Sequence, residues 1–307
     1  MTEAMRTALE QLADLLPASC VHWQVPMATM TTLKLGGPAD LVLEPETPEQ
    51  AADILRLADT LQVPCMPVGR GSNLLVRDGG VRGCILSTKG LKRLTVEGHT
   101  ATAGAGVALA TLSRTAAEHG LAGLTFAAGI PGSVGGAVKM NAGAYGGEMS
   151  QVVRQVRGYT RQGAPFCLSN EAMDFRHRHS RLMEEDLLVT EVDFMLSDGE
   201  PEALLREAAE LNARRREKQP LELPSAGSTF KRPPNGYASA MIDACGLKGL
   251  QVGGAQVSTK HAGFCVNLGG TSHDFLQLME QVQSAVQQRF GVLLEPEVCV
   301  IGEEEEA

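Results

Sequence analysis

The chain has 307 residues, 43% of them hydrophobic, and a formal net charge of −9. That is enough apolar material for two or three domains, and the charge repels phosphate backbones, so nucleic acid is excluded as a natural partner. No run of about 18 apolar residues predicts a membrane span and no signal-peptide core opens the chain; the seven scattered cysteines, without a CxxC pair, suit reduced thiols in the cytoplasm better than disulfides or zinc.

Residues 4–16 carry an amphipathic helical pattern, and a turn region with Pro17 and Pro26 follows. Leu41-Val42-Leu43 predicts a strand. Thr47, Pro48 and Gln50 then predict a capped helix start, with Ala51, Ile54, Leu55, Ala58 and Leu61 at helical spacing. Val63–Val68 predicts a second strand, so strand–helix–strand is the opening theme. Residues 84–106 read as short strands and Ala108–His119 as a helix. Gly120–Gly147 is a Gly-rich stretch dominated by turn signals. Val152–Arg157 and Leu187–Leu196 read as strands. Near Ser197 the character changes: Pro201–Lys218 is a helix with Glu200 and Glu202 at its start and Arg214, Arg215, Arg216 and Lys218 at its end, complementing the helix dipole. Phe275, Leu278, Met279, Val282 and Val286 mark a last helix and Val298–Ile301 a last strand. The acidic run Glu303–Glu306 reads as a solvated end.

Two loops stand out chemically. Gly69-Arg70-Gly71-Ser72-Asn73 follows a strand, and its glycines would let backbone amides turn inward around an anion. On its residues alone it also suits a tight surface turn. It lacks the Gly-Lys-Ser/Thr of a Walker loop and the spacing of a dinucleotide fingerprint. Further on, Gly129, Pro131, Gly132, Ser133, Gly135 and Gly136 belong to a stretch in which Gly and Pro fill eight of the 21 positions from Ala127 to Gly147. Such density fits a flat ligand approaching the backbone closely, or a structural crossover.

Together with Thr31-Thr32-Leu33-Lys34-Leu35-Gly36-Gly37, Ser225-Ala226-Gly227-Ser228-Thr229-Phe230-Lys231-Arg232-Pro233 and Leu294-Glu295-Pro296-Glu297-Val298, these loops form five ordered motifs between about residues 25 and 302. In them the chain resembles the UDP-N-acetylenolpyruvoylglucosamine reductases. Gly253-Gly254-Ala255-Gln256-Val257-Ser258 is similar to the shorter, second subtype. The resemblance implies an α+β fold: a two-part FAD-binding domain of the vanillyl-alcohol-oxidase type (1–90 with the N-terminal helix, and 91–197) and an α+β substrate-binding domain with a C-terminal catalytic strand (198–307). It implies non-covalent FAD, since Gly69–Asn73 offers neither His nor Cys for attachment and Cys65 lies on the strand before it. NADPH would be the co-substrate and a UDP-sugar the substrate. Gly69, Arg70, Gly71, Ser72, Asn73, Gly129, Pro131, Gly132, Ser133, Gly135 and Gly136 would hold the cofactor.

The implied reaction reduces an enol ether that bears a carboxylate. A carbanion must be protonated and its charge held. Ser228 matches the family's proton donor. Arg178, in Phe175-Arg176-His177-Arg178-His179-Ser180, matches its carboxylate-holding Arg, although His177 stands where Tyr is usual. Glu297 matches the acidic residue near the C-terminus, with Glu295 as the competing assignment, and Lys218 matches a substrate-phosphate Lys. His177 and His179 suggest no metal site, since no third ligand is evident in sequence. Oligomeric state is left open, with a monomer preferred. Two other readings are an FAD oxidase of the same broad fold acting on an alcohol or sugar, and a non-catalytic nucleotide-binding module.

Overall fold

A computed structural model describes residues Thr2–Glu305. The chain forms two compact units: one gathers the residues up to Trp23, Leu41–Arg70 and Gly83–Arg215, the other Gln24–Asp40, Gly71–Arg82 and the residues from Arg216 on. Among the described residues no helix is long and apolar enough to cross a membrane.

The first unit holds two hydrophobic clusters. One surrounds Leu9, Leu41, Ile54, Val63 and Leu86. Its helix Pro48–Thr60 begins as its sequence dictates: the Thr47 hydroxyl accepts the Gln50 N–H at 3.2 Å while Gln50 Oε1 accepts the Thr47 N–H at 3.2 Å, and Pro48 occupies the first turn. Ala51, Ile54, Leu55 and Ala58 are its buried face. The strand Cys65–Val68 runs parallel to Val81–Ser87, with Cys65 opposite Cys84. The sheet order is Val21–Pro26, Pro38–Leu43, Val81–Ser87, Cys65–Val68. The predicted strand–helix–strand therefore closes across an intervening strand, and part of the region that reads as a turn is itself a strand ending at Pro26.

The second cluster surrounds Ala103, Leu112, Val134, Val156, Val192 and Phe194. A five-stranded sheet, in the order Pro165–Ser169, Val153–Thr160, Leu187–Met195, Thr100–Gly104, Leu94–Glu97, builds one wall. On that sheet Arg157 forks to Glu191 and Asp193 at 2.7 Å each. Burial pushes the Asp193 carboxyl upward, but hydrogen bonds from Arg157, Thr102 and Gln155 outweigh it and hold it below its ordinary value. The stretch that reads only as turns contains a six-residue helix, Val134–Lys139. Gly135 and Gly136 hide it from propensity, each costing about 1 kcal/mol relative to Ala; the buried Val134, Ala137 and Val138 hold it through packing. A hairpin follows, Gly143–Ala144 with Gly147–Glu148. Tyr145 (φ 54°) and Gly146 (φ 89°) make its turn, both left-handed, as a type I′ turn requires.

The second unit has one cluster around Leu33, Leu75, Phe230, Val257, Phe275 and Val282. Its longest helix, Ser272–Phe290, has a Thr271/Asp274 capping box and ends on Gly291 at φ 68°. The Gly253–Ser258 motif is a hairpin within a three-stranded sheet, Gln251–Val252, Ala255–Val257, Cys265–Asn267. Cys299–Ile301 pairs in parallel with Leu74–Val76. Glu303, Glu304 and Glu305 are exposed, and this end is also tied down: the Glu303 N–H donates to the Gly80 carbonyl at 2.9 Å and Arg77 pairs with Glu304. Glu306 lies outside the described residues.

Candidate functional site

In the first unit, Gly69 at the end of its strand faces Ser133 at the start of the Val134–Lys139 helix. A Cβ at Gly69 would lie 2.3 Å from Ser133 Oγ. Ser133 is 2% exposed, and its hydroxyl has no hydrogen-bond partner. A buried hydroxyl left without a partner costs stability unless a ligand supplies one. The backbone amides of Val134 and Gly135 donate to the carbonyls of Val107 and Ala105, both at 2.9 Å, so these two are taken up by the protein itself. The two predicted loops thus meet across Ser133, and a hydroxyl beside a side-chain-free glycine suits the oxygen-rich diphosphate of a dinucleotide.

Beside this contact lies a cavity of about 500 Å³, reached by Gly69, Gly135, Gly136, Thr88, Lys139 and Cys65. That is within the range of small-molecule sites. Lys139 stands three and four residues after Gly136 and Gly135, hence on their helix face. It brings a cation that residue-by-residue reading missed, because the helix carrying it was not recognised. Cys65, on the strand before the loop, is half-buried and lines the cavity. Gly129 is gripped from the helix Pro201–Lys218, where Arg215 donates to its carbonyl. Burial draws the Arg215 guanidinium below its ordinary pKa.

Arg178 sits at the tip of a two-residue turn. Arg176 and His179 exchange both backbone hydrogen bonds at 3.1 Å, and Arg178 has φ 54°. A left-handed arginine is uncommon, and such strain gathers at functional sites. Its guanidinium donates to the Gly143 carbonyl at 3.2 Å. His177 is exposed. Near this turn, ligand atoms of Asp174, His179 and Glu184 lie within 4.8 Å of one another, a grouping that sequence spacing did not suggest. Arg176 already pairs with Asp174 and lies 3.9 Å from Glu184.

In the second unit, Gly71 is needed by the protein's own backbone: a Cβ there would lie 2.2 Å from the Met30 carbonyl. The Asn73 amide donates to the Glu297 carbonyl at 3.0 Å. Thr32, in the opening motif, donates through its hydroxyl to the Ser225 carbonyl at 2.7 Å. Ser228 follows Gly227 (φ 78°) and is exposed. Its segment lies between two others: the Thr229 N–H donates to the Gly263 carbonyl at 2.9 Å, and the Glu297 N–H donates to the Thr229 carbonyl at 2.9 Å. Glu295 is tied instead to Lys231, by backbone at 2.8 Å and side chain at 3.3 Å. Cys265 lies behind Thr229, its N–H donating to the Thr229 hydroxyl at 2.9 Å. Burial pushes its thiol up to about 11, so it stays neutral. Lys218 is exposed at the end of its helix.

Two family models match the chain. One, described as FAD binding domain, covers residues 39–166; the other, described as UDP-N-acetylenolpyruvoylglucosamine reductase, C-terminal domain, covers 219–301. The UDP-N-acetylenolpyruvoylglucosamine reductase of Levilactobacillus brevis is 45% identical over 297 residues, which is 96% of this chain and 98% of the relative. That of Clostridium botulinum is 46% identical over 295 residues, 96% of each. The crystal structure of UDP-N-acetylenolpyruvylglucosamine reductase from Thermus caldophilus superposes with a TM-score of 0.78 at 37% identity, covering 90% of this chain and 97% of that one. The fold is accordingly α+β, with an FAD-binding part of the vanillyl-alcohol-oxidase type and the C-terminal domain of these reductases.

Proposed function

The chain belongs to the UDP-N-acetylenolpyruvoylglucosamine reductase family, and on that footing we propose that it reduces the enolpyruvyl group of a UDP-N-acetylglucosamine enolpyruvate to UDP-N-acetylmuramate. FAD, held non-covalently, would supply the hydride, taken from NADPH and passed to the terminal vinyl carbon. Gly69, Arg70, Gly71, Ser72 and Asn73, with Gly129, Pro131, Gly132, Ser133, Gly135 and Gly136, would hold it, and the Ser133 hydroxyl would find its partner on the diphosphate.

The protein's own chemistry then begins with a carbanion beside a carboxylate. Ser228 would give its hydroxyl proton to that carbon. A serine is a very weak acid, yet a carbanion is a far stronger base, so a positioned hydroxyl suffices. Arg178 would hold the carboxylate-enolate charge through paired N–H donors. Glu297 would orient the reacting enol group, and Lys218 would meet a substrate phosphate. A cytoplasmic monomer suits such an enzyme. The observation that carries the reading is the 2.9 Å backbone bond from Glu297 to Thr229, which sets the acidic residue on the segment next to Ser228.

The test is NADPH oxidation by the purified, flavin-loaded protein. It should require the enolpyruvyl sugar nucleotide and yield the muramate. Turnover of simple alcohols or sugars with oxygen, and none with that substrate, would overturn the reading.

A further inference from the structure

Arg178 is not held by its own side chain alone. Of the seven non-glycine residues with left-handed backbone among those described, Asn141, Tyr145, Asp174 and Arg178 fall in two loops that are bonded to each other. Such conformations persist where surrounding contacts over-determine them. The Arg176 carbonyl, which closes the turn under His177 and Arg178, also accepts the Asn141 side-chain amide at 3.0 Å. Asn141 is 1% exposed, and its Oδ1 accepts the Ser150 N–H at 2.9 Å. On either side, the Ser180 hydroxyl donates to the Lys139 carbonyl at 2.7 Å and Arg178 donates to the Gly143 carbonyl at 3.2 Å. The turn is thus sewn at three points to the segment leaving the Val134–Lys139 helix. The other end of that helix begins at Ser133, which faces Gly69.

We infer that Asn141 is a positioning residue for Arg178: its side chain fixes the Arg176–His179 turn at one end of a six-residue helix whose other end carries the cofactor loop. The helix is about 9 Å long at 1.5 Å per residue, so the Asn141 bond ties the turn that carries Arg178 to the end of the helix opposite Ser133. Asparagine suits the place on two counts. It tolerates the left-handed backbone (φ 40°) better than most residues, and it offers a donor and an acceptor on one short side chain. Aspartate would keep the acceptor for Ser150 but turn a carboxylate toward the Arg176 carbonyl. Glycine would keep the backbone and lose both bonds.

This inference rests on the reading of Arg178 as the group that holds the substrate carboxylate. Its test uses the flavin-loaded variants Asn141→Asp, Asn141→Gly, Arg178→Ala and the double variant Asn141→Gly with Arg178→Ala. Stopped-flow absorbance follows flavin reduction by NADPH and reoxidation by the enolpyruvyl substrate. Both Asn141 variants should keep wild-type flavin content and reduction rate. Reoxidation should slow roughly 10–100-fold, the cost of misplacing a reacting group by about an ångström, with kcat falling far more than KM rises. The double variant should be no slower than Arg178→Ala, since the two residues act as one. Wild-type reoxidation in both Asn141 variants, or losses that multiply in the double variant, would overturn the inference. So would loss of flavin from both Asn141 variants with a lowered thermal midpoint, which would make Asn141 a residue of the fold. Wild-type reoxidation in Arg178→Ala would instead remove the role of Arg178, and the inference with it.

Discussion

The backbone N–H of Glu297 donates to the carbonyl of Thr229 over 2.9 Å. This bond sets the Glu297 segment alongside the residue that follows Ser228. Glu295, two positions earlier, is turned to Lys231, and its side chain is 73% exposed. Register therefore separates two carboxylates that a motif leaves side by side. Glu297→Gln should lower kcat by about 10²-fold or more, in line with the loss of a positioned polar group, while Glu295→Gln should stay within a few-fold of wild type. Steady-state kinetics on the two variants checks this, and the reverse order would move the role to Glu295.

Ser133 supports a prediction of opposite signs in two assays. Its hydroxyl is buried without a protein partner, so Ser133→Ala should leave the thermal midpoint of the flavin-free protein unchanged or slightly raised. If that hydroxyl meets the cofactor diphosphate, FAD affinity should fall roughly 10–100-fold, the worth of one hydrogen bond to a charged group. Fluorescence titration of flavin into the apoprotein measures it. An unaltered Kd would detach Ser133 from the cofactor.

In the second unit His261 supports a pH prediction. Burial lowers its pKa below the ordinary value, and its Nδ1 accepts the Gly263 N–H at 3.1 Å, a role open to the neutral ring. The unfolded chain binds the proton more readily, so this residue's contribution to stability is complete above about pH 6.5 and is lost as the pH falls below that. Thermal midpoints of wild type and His261→Gln should run parallel above pH 7, and the wild type should lose ground toward pH 5. A gap constant from pH 5 to 8 would mean that the ring does not titrate on unfolding.

Much of the fold is legible in the sequence where local chemistry agrees with packing. The Thr47-Pro48-Gln50 cap fixes its helix start, and Glu200 and Glu202 at one end with Lys218 at the other bracket a helix that runs over Pro201–Lys218. The Val134–Lys139 helix was hidden because its two glycines oppose the helix that Val134, Ala137 and Val138 stabilise by burial. With it were hidden Lys139 in the cavity and Asn141 behind Arg178. The strand Val21–Pro26 was masked by its terminal Pro26 and its largely exposed residues. Both loops that meet at Ser133 stand out in the sequence by their glycines. That Gly69 and Ser133 touch depends on tertiary contact, which no local pattern contains.

In the proposed reaction Ser228 protonates the substrate and plays no part in flavin reduction. Ser228→Ala should retain flavin and be reduced by NADPH at nearly the wild-type rate. Its reoxidation by the enolpyruvyl substrate should slow by about 10²–10⁴-fold, and Ser228→Cys should recover part of that loss, since a thiol can also donate a proton. Stopped-flow flavin absorbance resolves the two half-reactions in one preparation. Reoxidation alone should be lost; equal slowing of both half-reactions in Ser228→Ala, or of neither, would mean that Ser228 is not the proton donor.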